Sequence, residues 1–98
     1  MKPKEIKYKK KTIENGNYVQ YSGFVEGYKL PIAIIEVSNK MPTKFFLKPV
    51  VVRFFLRHEM IMLNYKNLSS AKKKVKKLFE EYIQDLQIKL NKFTTDFD

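Results

Sequence analysis

The sequence contains no cysteine, which excludes disulfides, zinc sites built on thiolates and cysteine nucleophiles. It has a single histidine, so no histidine pair is available to hold a metal. Three glycines and four prolines are too few for a linker or a loop-rich scaffold. We therefore expect a folded chain that needs neither metal nor cofactor. The lack of cysteine suits a reducing compartment, and we predict a cytoplasmic location.

Long apolar runs are also missing. A membrane-spanning helix needs about 20 consecutive apolar residues, and no run in this sequence approaches that length. Residues 1–11 carry lysines where a signal peptide needs an apolar stretch. We therefore expect no membrane span, no membrane partner and no secretion.

The sequence is rich in apolar residues and in positive charge. Apolar residues make up 44% of the chain and aromatic residues 14%, which is enough to fill the core of one domain over residues 1–98. The net charge is +10, from 20 Lys and Arg against 10 Asp and Glu. Such a charge favours anionic partners. A lysine bias from an AT-rich genome would give the same total, so the placement of the charges has to decide between the two.

The pattern of apolar residues predicts an α+β fold, an antiparallel sheet of four to five strands covered by one long C-terminal amphipathic helix. The sheet region is 5–65, the helix is 69–93, and 94–98 is a frayed acidic tail. Strands are expected over 5–14, 17–25, 30–38, 44–56 and 60–65, with a loop at 38–42. Asn15-Gly16 predicts the first hairpin turn. The strand 30–38 is apolar on both faces and is expected to be central.

The helix shows an apolar stripe at three- and four-residue steps, after N-cap candidates at 67–70. The members of this stripe are Ala71, Val75, Leu78, Phe79, Tyr82, Ile83, Leu86, Leu90 and Phe93. Its charges run against the helix macrodipole, because lysines come first and acids follow from Glu80. A bound anion near the helix start would remove this conflict.

The lysines of this helix are therefore predicted to bind an anion. They are Lys72, Lys73, Lys74, Lys76 and Lys77. The alternative is a solvated face stabilised by the pairs Lys76–Glu80 and Lys77–Glu81. These pairs have the weaker orientation and contribute at most a few tenths of a kcal/mol. They would also leave residues 72–74 without partners.

The first strand repeats the basic pattern. Lys7, Lys9 and Lys11 share one face at a spacing of about 6.6–6.8 Å, close to that of phosphates along a nucleic-acid strand. The same row would serve as a solubilising edge, since lysines protect edge strands from pairing. Tyr18 and Tyr21 are candidates for base stacking. Their positions differ by an odd number, so they lie on opposite faces of their strand and cannot both be buried on one face. We therefore expect one of the two to be exposed.

A catalytic alternative rests on Arg57-His58-Glu59 with Arg53, which would supply the acid, base and phosphate clamp of a small ribonuclease. Adjacent residues of a strand point to opposite faces, so these groups would meet only in a turn. The carboxylates are too scattered for a metal-dependent nuclease, and no glycine-rich phosphate loop is present. We therefore predict that the protein is not an enzyme.

The order of strands followed by a Ser-Ala-Lys-Lys-Lys helix, at residues 70–74, resembles two families. These are the last half of double-stranded-RNA-binding domains and the sheet-plus-helix arm-binding domains of phage integrases. In the first family, lysines at the start of the last helix meet phosphates, which implies that role for Lys72, Lys73 and Lys76. The resemblance covers about twenty residues. This sequence lacks the preceding helix and the Gly-Pro-x-His loop of the first family.

The function we predict is nucleic-acid binding without catalysis, dominated by phosphate contacts, in a protein of phage or mobile-element type. The partner would be DNA or RNA, and the binding residues would be Lys7, Lys9, Lys11, Arg53, Arg57, Lys72, Lys73, Lys74, Lys76 and Lys77, with possible stacking on Tyr18 and Tyr21. The alternative is a small module or inhibitor that uses the same basic surface on an acidic protein. An unpaired sheet edge could also join two copies into a homodimer.

Overall fold

Five strands and one helix follow one another in the computed structural model, which describes residues 3–38, 50–57 and 59–94. They are β1 (Ile6–Ile13), β2 (Tyr18–Val25), β3 (Ala33–Ser38), β4 (Val50–Phe54), β5 (Ile61–Tyr65) and α1 (Leu68–Phe93). The strands form one antiparallel sheet in the order β1-β2-β3-β4-β5. The predicted α+β fold is confirmed, and the strand predicted to be central, β3, lies in the middle of the sheet.

The β1–β2 hairpin turns where the Asn-Gly signal predicted it. Glu14 and Asn15 have φ angles of 52° and 55°, and Gly16 has a φ of 87°. Asn and Gly tolerate this left-handed region at low cost. The backbone N–H of Asn17 donates to the Glu14 carbonyl at 3.1 Å and closes the turn. Ile13 then pairs with Tyr18, and this pairing fixes the register of the two strands.

The core lies between one face of the sheet and the first half of α1. Alternate residues of β3 and β4 are buried on that face, as the period of two for a strand requires. The sheet side of the core is Ala33, Ile35, Val50, Val52 and Phe54, all at most 2% exposed. The helix side is Ala71, Val75, Leu78 and Phe79, at most 6% exposed. Their spacing of three and four residues puts them on one face of the helix.

The helix begins one residue before the predicted start. Its N-cap is Asn67, whose side-chain oxygen accepts a hydrogen bond from the backbone N–H of Ser70 at 2.8 Å. An Asn at this position satisfies one of the free N–H groups of the first turn. The helix ends at Phe93, as predicted, and the Thr94 backbone N–H donates to the Leu90 carbonyl at 2.8 Å.

Only the first half of the helix covers the sheet. A helix of 26 residues is about 39 Å long, whereas the strands have five to eight residues. Burial along the predicted stripe ends at Phe79, and Tyr82 and Ile83 are half-buried. Leu86, Leu90 and Phe93 are 43%, 61% and 87% exposed. The stripe is therefore continuous in sequence but is buried only over its first half.

Several predicted features lie outside the described residues. These are most of the loop at 38–42, the first part of the strand predicted over 44–56, His58 and residues 95–98. Over the ranges that are described, no helix combines the length and the apolar character that crossing a bilayer requires.

Candidate nucleic-acid interface

The sheet has two faces of different character. One face packs against α1. The other, which we call the open sheet face, carries no described helix or strand packed on it. The strand register assigns to it Lys7, Lys9, Lys11, Ile13, Tyr18, Gln20, Ser22, Phe24, Ile34, Glu36, Ser38, Val51, Arg53, Met62 and Asn64.

The lysines of β1 form an exposed row along the edge of this open sheet face. β1 is the first strand of the sheet, so it has a neighbour on one side only. Lys7 stands opposite Phe24, Lys9 opposite Ser22, and Lys11 opposite Gln20. The Lys9 Nζ lies 5.1 Å from the centroid of the Phe24 ring, within cation–π range. The row is placed as the alternation in the sequence predicted.

Of the two predicted stacking residues, only Tyr18 lies on the open sheet face. Tyr21 lies on the helix face, between Lys10 of β1 and Ile35 of β3. The two tyrosines therefore cannot form one stacking surface. Phe24 shares the face of Tyr18 at the other end of β2 and is half-buried. Sequence reasoning did not select Phe24 as a stacking residue, although its even-numbered spacing from Tyr18 places it on the same face.

A second basic surface lies on the other side of β1. It is a groove of ≈ 660 Å³ between the start of β1 and α1, and we call it the β1–α1 groove. Its lining residues are Pro3, Lys4, Glu5, Ile6, Tyr8, Lys72, Lys73, Lys76, Phe79 and Glu80. Four lysines and two glutamates thus line it, which leaves an excess of two positive charges. The floor is apolar and aromatic.

Tyr8 is the most perturbed ionisable group near this groove. Burial raises its pKa to about 12, because desolvation disfavours the phenolate. Its hydroxyl has no hydrogen-bond partner within the described part of the chain. Its ring lies against Gly23, where an added Cβ would come within 3.0 Å of the Tyr8 Cε1. A glycine is needed there because the ring occupies the space of a side chain.

The helix lysines separate into groups with different surroundings. Lys72 is half-buried, and its Nζ lies 4.9 Å from the centroid of Tyr8 and 5.4 Å from that of Tyr21. Lys73 and Lys76 line the β1–α1 groove. Lys74 and Lys77 do not. The five predicted lysines therefore do not form a single site.

The helix start also differs from the prediction. Because α1 begins at Leu68, Lys72 to Lys74 lie in the second turn and not at the end of the helix. The first turn contains no acidic residue, and Asn67 already caps it. The opposition between these lysines and the macrodipole is correspondingly weaker, since that effect falls off beyond the first turn.

Both predicted arginines are engaged in ion pairs. The Arg53 Nη2 lies 3.3 Å from the Glu36 Oε2 on the open sheet face. The Arg57 Nη2 lies 3.4 Å from the Glu81 Oε2 of α1. These are the ion pairs within residues 3–38, 50–57 and 59–94, and neither includes a lysine. The arginine charges are thus compensated inside the protein, whereas the lysine row of β1 is not.

No candidate metal centre accompanies these surfaces. Among the described residues, no group of three or more His, Asp or Glu side chains is placed to hold a metal ion. His58, which the ribonuclease hypothesis requires, lies outside the described residues. No protein-family model, curated protein or solved structure matches this chain.

Proposed function

We propose that this protein binds nucleic acid without catalysing a reaction on it, and that contacts to phosphates dominate the binding. The observation that carries the proposal is the exposed row of Lys7, Lys9 and Lys11 along the edge of the open sheet face. None of these three ammonium groups takes part in the ion pairs of the described chain. We place this activity in the cytoplasm, away from membranes.

The composition of the neighbouring strand favours this function over a purely protective edge. Lysines that only prevent edge pairing need no aromatic partners. Here the row runs beside Phe24 and Tyr18 on the same face, with polar Gln20 and Ser22 between them. A basic row beside aromatic rings is the arrangement that proteins use to hold nucleic-acid strands. The +10 net charge adds long-range attraction for a polyanion.

The test is a salt titration of binding to DNA and RNA, followed by fluorescence anisotropy or gel shift. Binding should weaken steeply with salt, because each phosphate that is bound releases counterions. Replacing Lys7, Lys9 and Lys11 with Gln should weaken binding to all sequences alike. It should also lower the slope of log K against log salt by about 1 for every phosphate that the variant no longer neutralises.

A matched control variant removes the same charge elsewhere. Lys66 follows β5 at the far edge of the sheet, and Lys89 and Lys92 lie on the exposed half of α1. Replacing these three with Gln should change affinity much less. Undetectable binding of every nucleic acid at about 50 mM salt would refute the proposal. Stoichiometric capture of one acidic protein together with that result would establish the alternative class of partner.

A further inference from the structure

We infer that the nucleic acid is single-stranded and lies along β2 on the open sheet face, with bases on Phe24 and Tyr18 and phosphates on the β1 lysines. This inference rests on the proposed function and specifies its ligand and its site. It selects the open sheet face over the β1–α1 groove, although both surfaces are basic.

The spacing of the rings fits an extended strand. Tyr18 and Phe24 are six residues apart on the same face of β2, which corresponds to about 20 Å. Gln20 and Ser22 lie between them on that face. Two rings at this separation can stack on bases a few nucleotides apart. The side chains between them can accommodate any base, as expected for a sequence-tolerant platform.

The lysine row lies directly beside this strip. Neighbouring strands are about 4.8 Å apart, and each lysine of the row faces a residue of β2 across the register. A strand whose bases rest on β2 would therefore place its backbone within reach of Lys7, Lys9 and Lys11. Lys9 already lies over the Phe24 ring. Its ammonium can move to a phosphate while a base takes its place on the ring, because lysine donors rotate on a flexible stem.

A duplex fits this surface less well. The five strands make a sheet about 19 Å across, which is wider than the ~12 Å major groove of B-DNA. The lysines lie at one edge of that surface, so they would reach only one backbone of a duplex. Paired bases would also keep their faces stacked inside the helix, out of reach of Phe24 and Tyr18.

The β1–α1 groove is the weaker candidate for the same ligand. Its Lys72 ammonium is held over two rings of the protein, and Glu5 and Glu80 add negative charge to its lining. On β1 and β2, by contrast, the open sheet face carries no carboxylate. The nearest carboxylate of that face, Glu36 on β3, is paired with Arg53. A polyanion therefore meets less repulsion on the open sheet face.

The experiment is a competition among single-stranded DNA, single-stranded RNA, duplex DNA and duplex RNA of equal length for the full-length protein. Both single strands should bind at least about tenfold more tightly than the duplex of the same chemistry. Phe24→Ala and Tyr18→Ala should each weaken single-strand binding by about 5- to 150-fold, which corresponds to the ~1–3 kcal/mol of one base–aromatic stack. Tyr28→Ala serves as the control, since Tyr28 is 48% exposed but lies outside the sheet.

Two further variants serve as controls, one for loss of folding and one for the location of the site. Phe24→Leu keeps an apolar side chain but has no aromatic face, so it should fold normally and still lose the stacking contribution. Replacing Lys73 and Lys76 of the β1–α1 groove with Gln should leave single-strand affinity within about threefold. Circular dichroism and denaturant melts confirm that each variant is folded before its affinity is compared.

The outcomes separate this inference from the function on which it depends. If duplexes bind as well as single strands, or if Phe24→Leu and Tyr18→Ala bind normally, the inference is wrong and nucleic-acid binding stands. If the Lys73/Lys76 variant loses binding and the β1 variants do not, the site is wrong. If no nucleic acid of the four binds, the proposed function itself fails.

Discussion

The two faces of the sheet carry the same kind of contact, a lysine over an aromatic ring, in different surroundings. Each face has a lysine held above an aromatic ring, at 5.1 Å for Lys9 and Phe24 and at 5.4 Å for Lys72 and Tyr21. On the helix face, Lys72 belongs to α1 and reaches back to the sheet, so its contact joins two elements. On the open sheet face, Lys9 and Phe24 belong to β1 and β2, which are already neighbours in the sheet, so their contact brings no additional element into the fold. The first contact links the helix to the sheet, and the second links two neighbouring strands at the edge where our proposal places the ligand.

Burial accounts for this difference. On the helix face of β3 and β4, Ala33, Ile35, Val50, Val52 and Phe54 are at most 2% exposed, so a change at any of these positions alters the free energy of unfolding. On the open sheet face of the same strands, Ile34, Glu36, Val51 and Arg53 are half-buried, whereas Ser38 is 8% exposed. Substitutions on the two faces should therefore separate into those that change stability and those that change binding.

The largest effect is expected for Phe54→Ala. Phe54 is fully buried in the core, and removing such a ring costs about 3–5 kcal/mol, which includes the cavity left behind. Phe24→Ala on the open sheet face should cost only about 1 kcal/mol, because a half-buried ring loses about half of its transfer free energy. Urea unfolding of both variants measures the two values. Similar losses would show that the open sheet face is part of the structural core.

A smaller loss is expected for Gly23→Ala. The new Cβ would come within 3.0 Å of both Ile6 Cγ2 and Tyr8 Cε1, and such overpacking typically costs about 1–3 kcal/mol. Ser22→Ala, one position away on the open sheet face, should stay within about 0.5 kcal/mol of the wild type. Denaturant midpoints compare the two. An alanine at 23 that stabilises the protein would mean that the Tyr8 ring is free to move.

The ionisation of Tyr8 should make the stability of the fold depend on pH in alkaline solution. Its pKa is raised to about 12 in the folded protein and is near 10 when the chain is unfolded. The unfolded chain thus loses this proton first as pH rises, and folding stability falls between these two pKa values. Below pH 10 the contribution of the protonated Tyr8 side chain to folding stability is fully present. Tyr8→Phe should show a shallower loss of stability over that interval, and an identical pH dependence would contradict the role given to Tyr8.

The smallest effect concerns the cation over the two rings. Lys72→Gln should lower the free energy of unfolding by about 0.5–1 kcal/mol, because it removes the cation–π interactions with Tyr8 and Tyr21. Lys77→Gln removes the same charge from an exposed position of α1 and should change stability by no more than about 0.5 kcal/mol. Urea unfolding measures both effects. If they are equal, the cation–π interactions of Lys72 do not contribute to stability, and only the loss of a positive charge matters.

Local patterns in the sequence were sufficient to predict the fold. Alternation along β1 assigned Lys7 and its row to one face, Asn15-Gly16 located the hairpin turn, and the stripe from Ala71 defined the helix. These features depend on backbone periodicity and turn chemistry, which act over a few residues. The five observed strands fall within the predicted sheet of four to five strands for the same reason.

The site was only partly predictable, because its character depends on where the helix crosses the sheet. Parity showed that Tyr18 and Tyr21 face opposite ways, but it could not say which face α1 covers. The partners of Lys72 on β1 and β2, and the Arg57–Glu81 ion pair across 24 residues, are set by that crossing. Such long-range contacts leave no periodic signal in the sequence.

The order of the strands also has a consequence for how the protein reaches its structure. Each strand pairs with the strand next to it in the chain, so every pairing closes a comparatively short segment. Chains dominated by such local pairings fold faster than those that must join distant segments. We expect the strands to assemble as successive hairpins. The apolar side of β3 and β4 then has no cover until α1, which follows all five strands in the chain, docks on it.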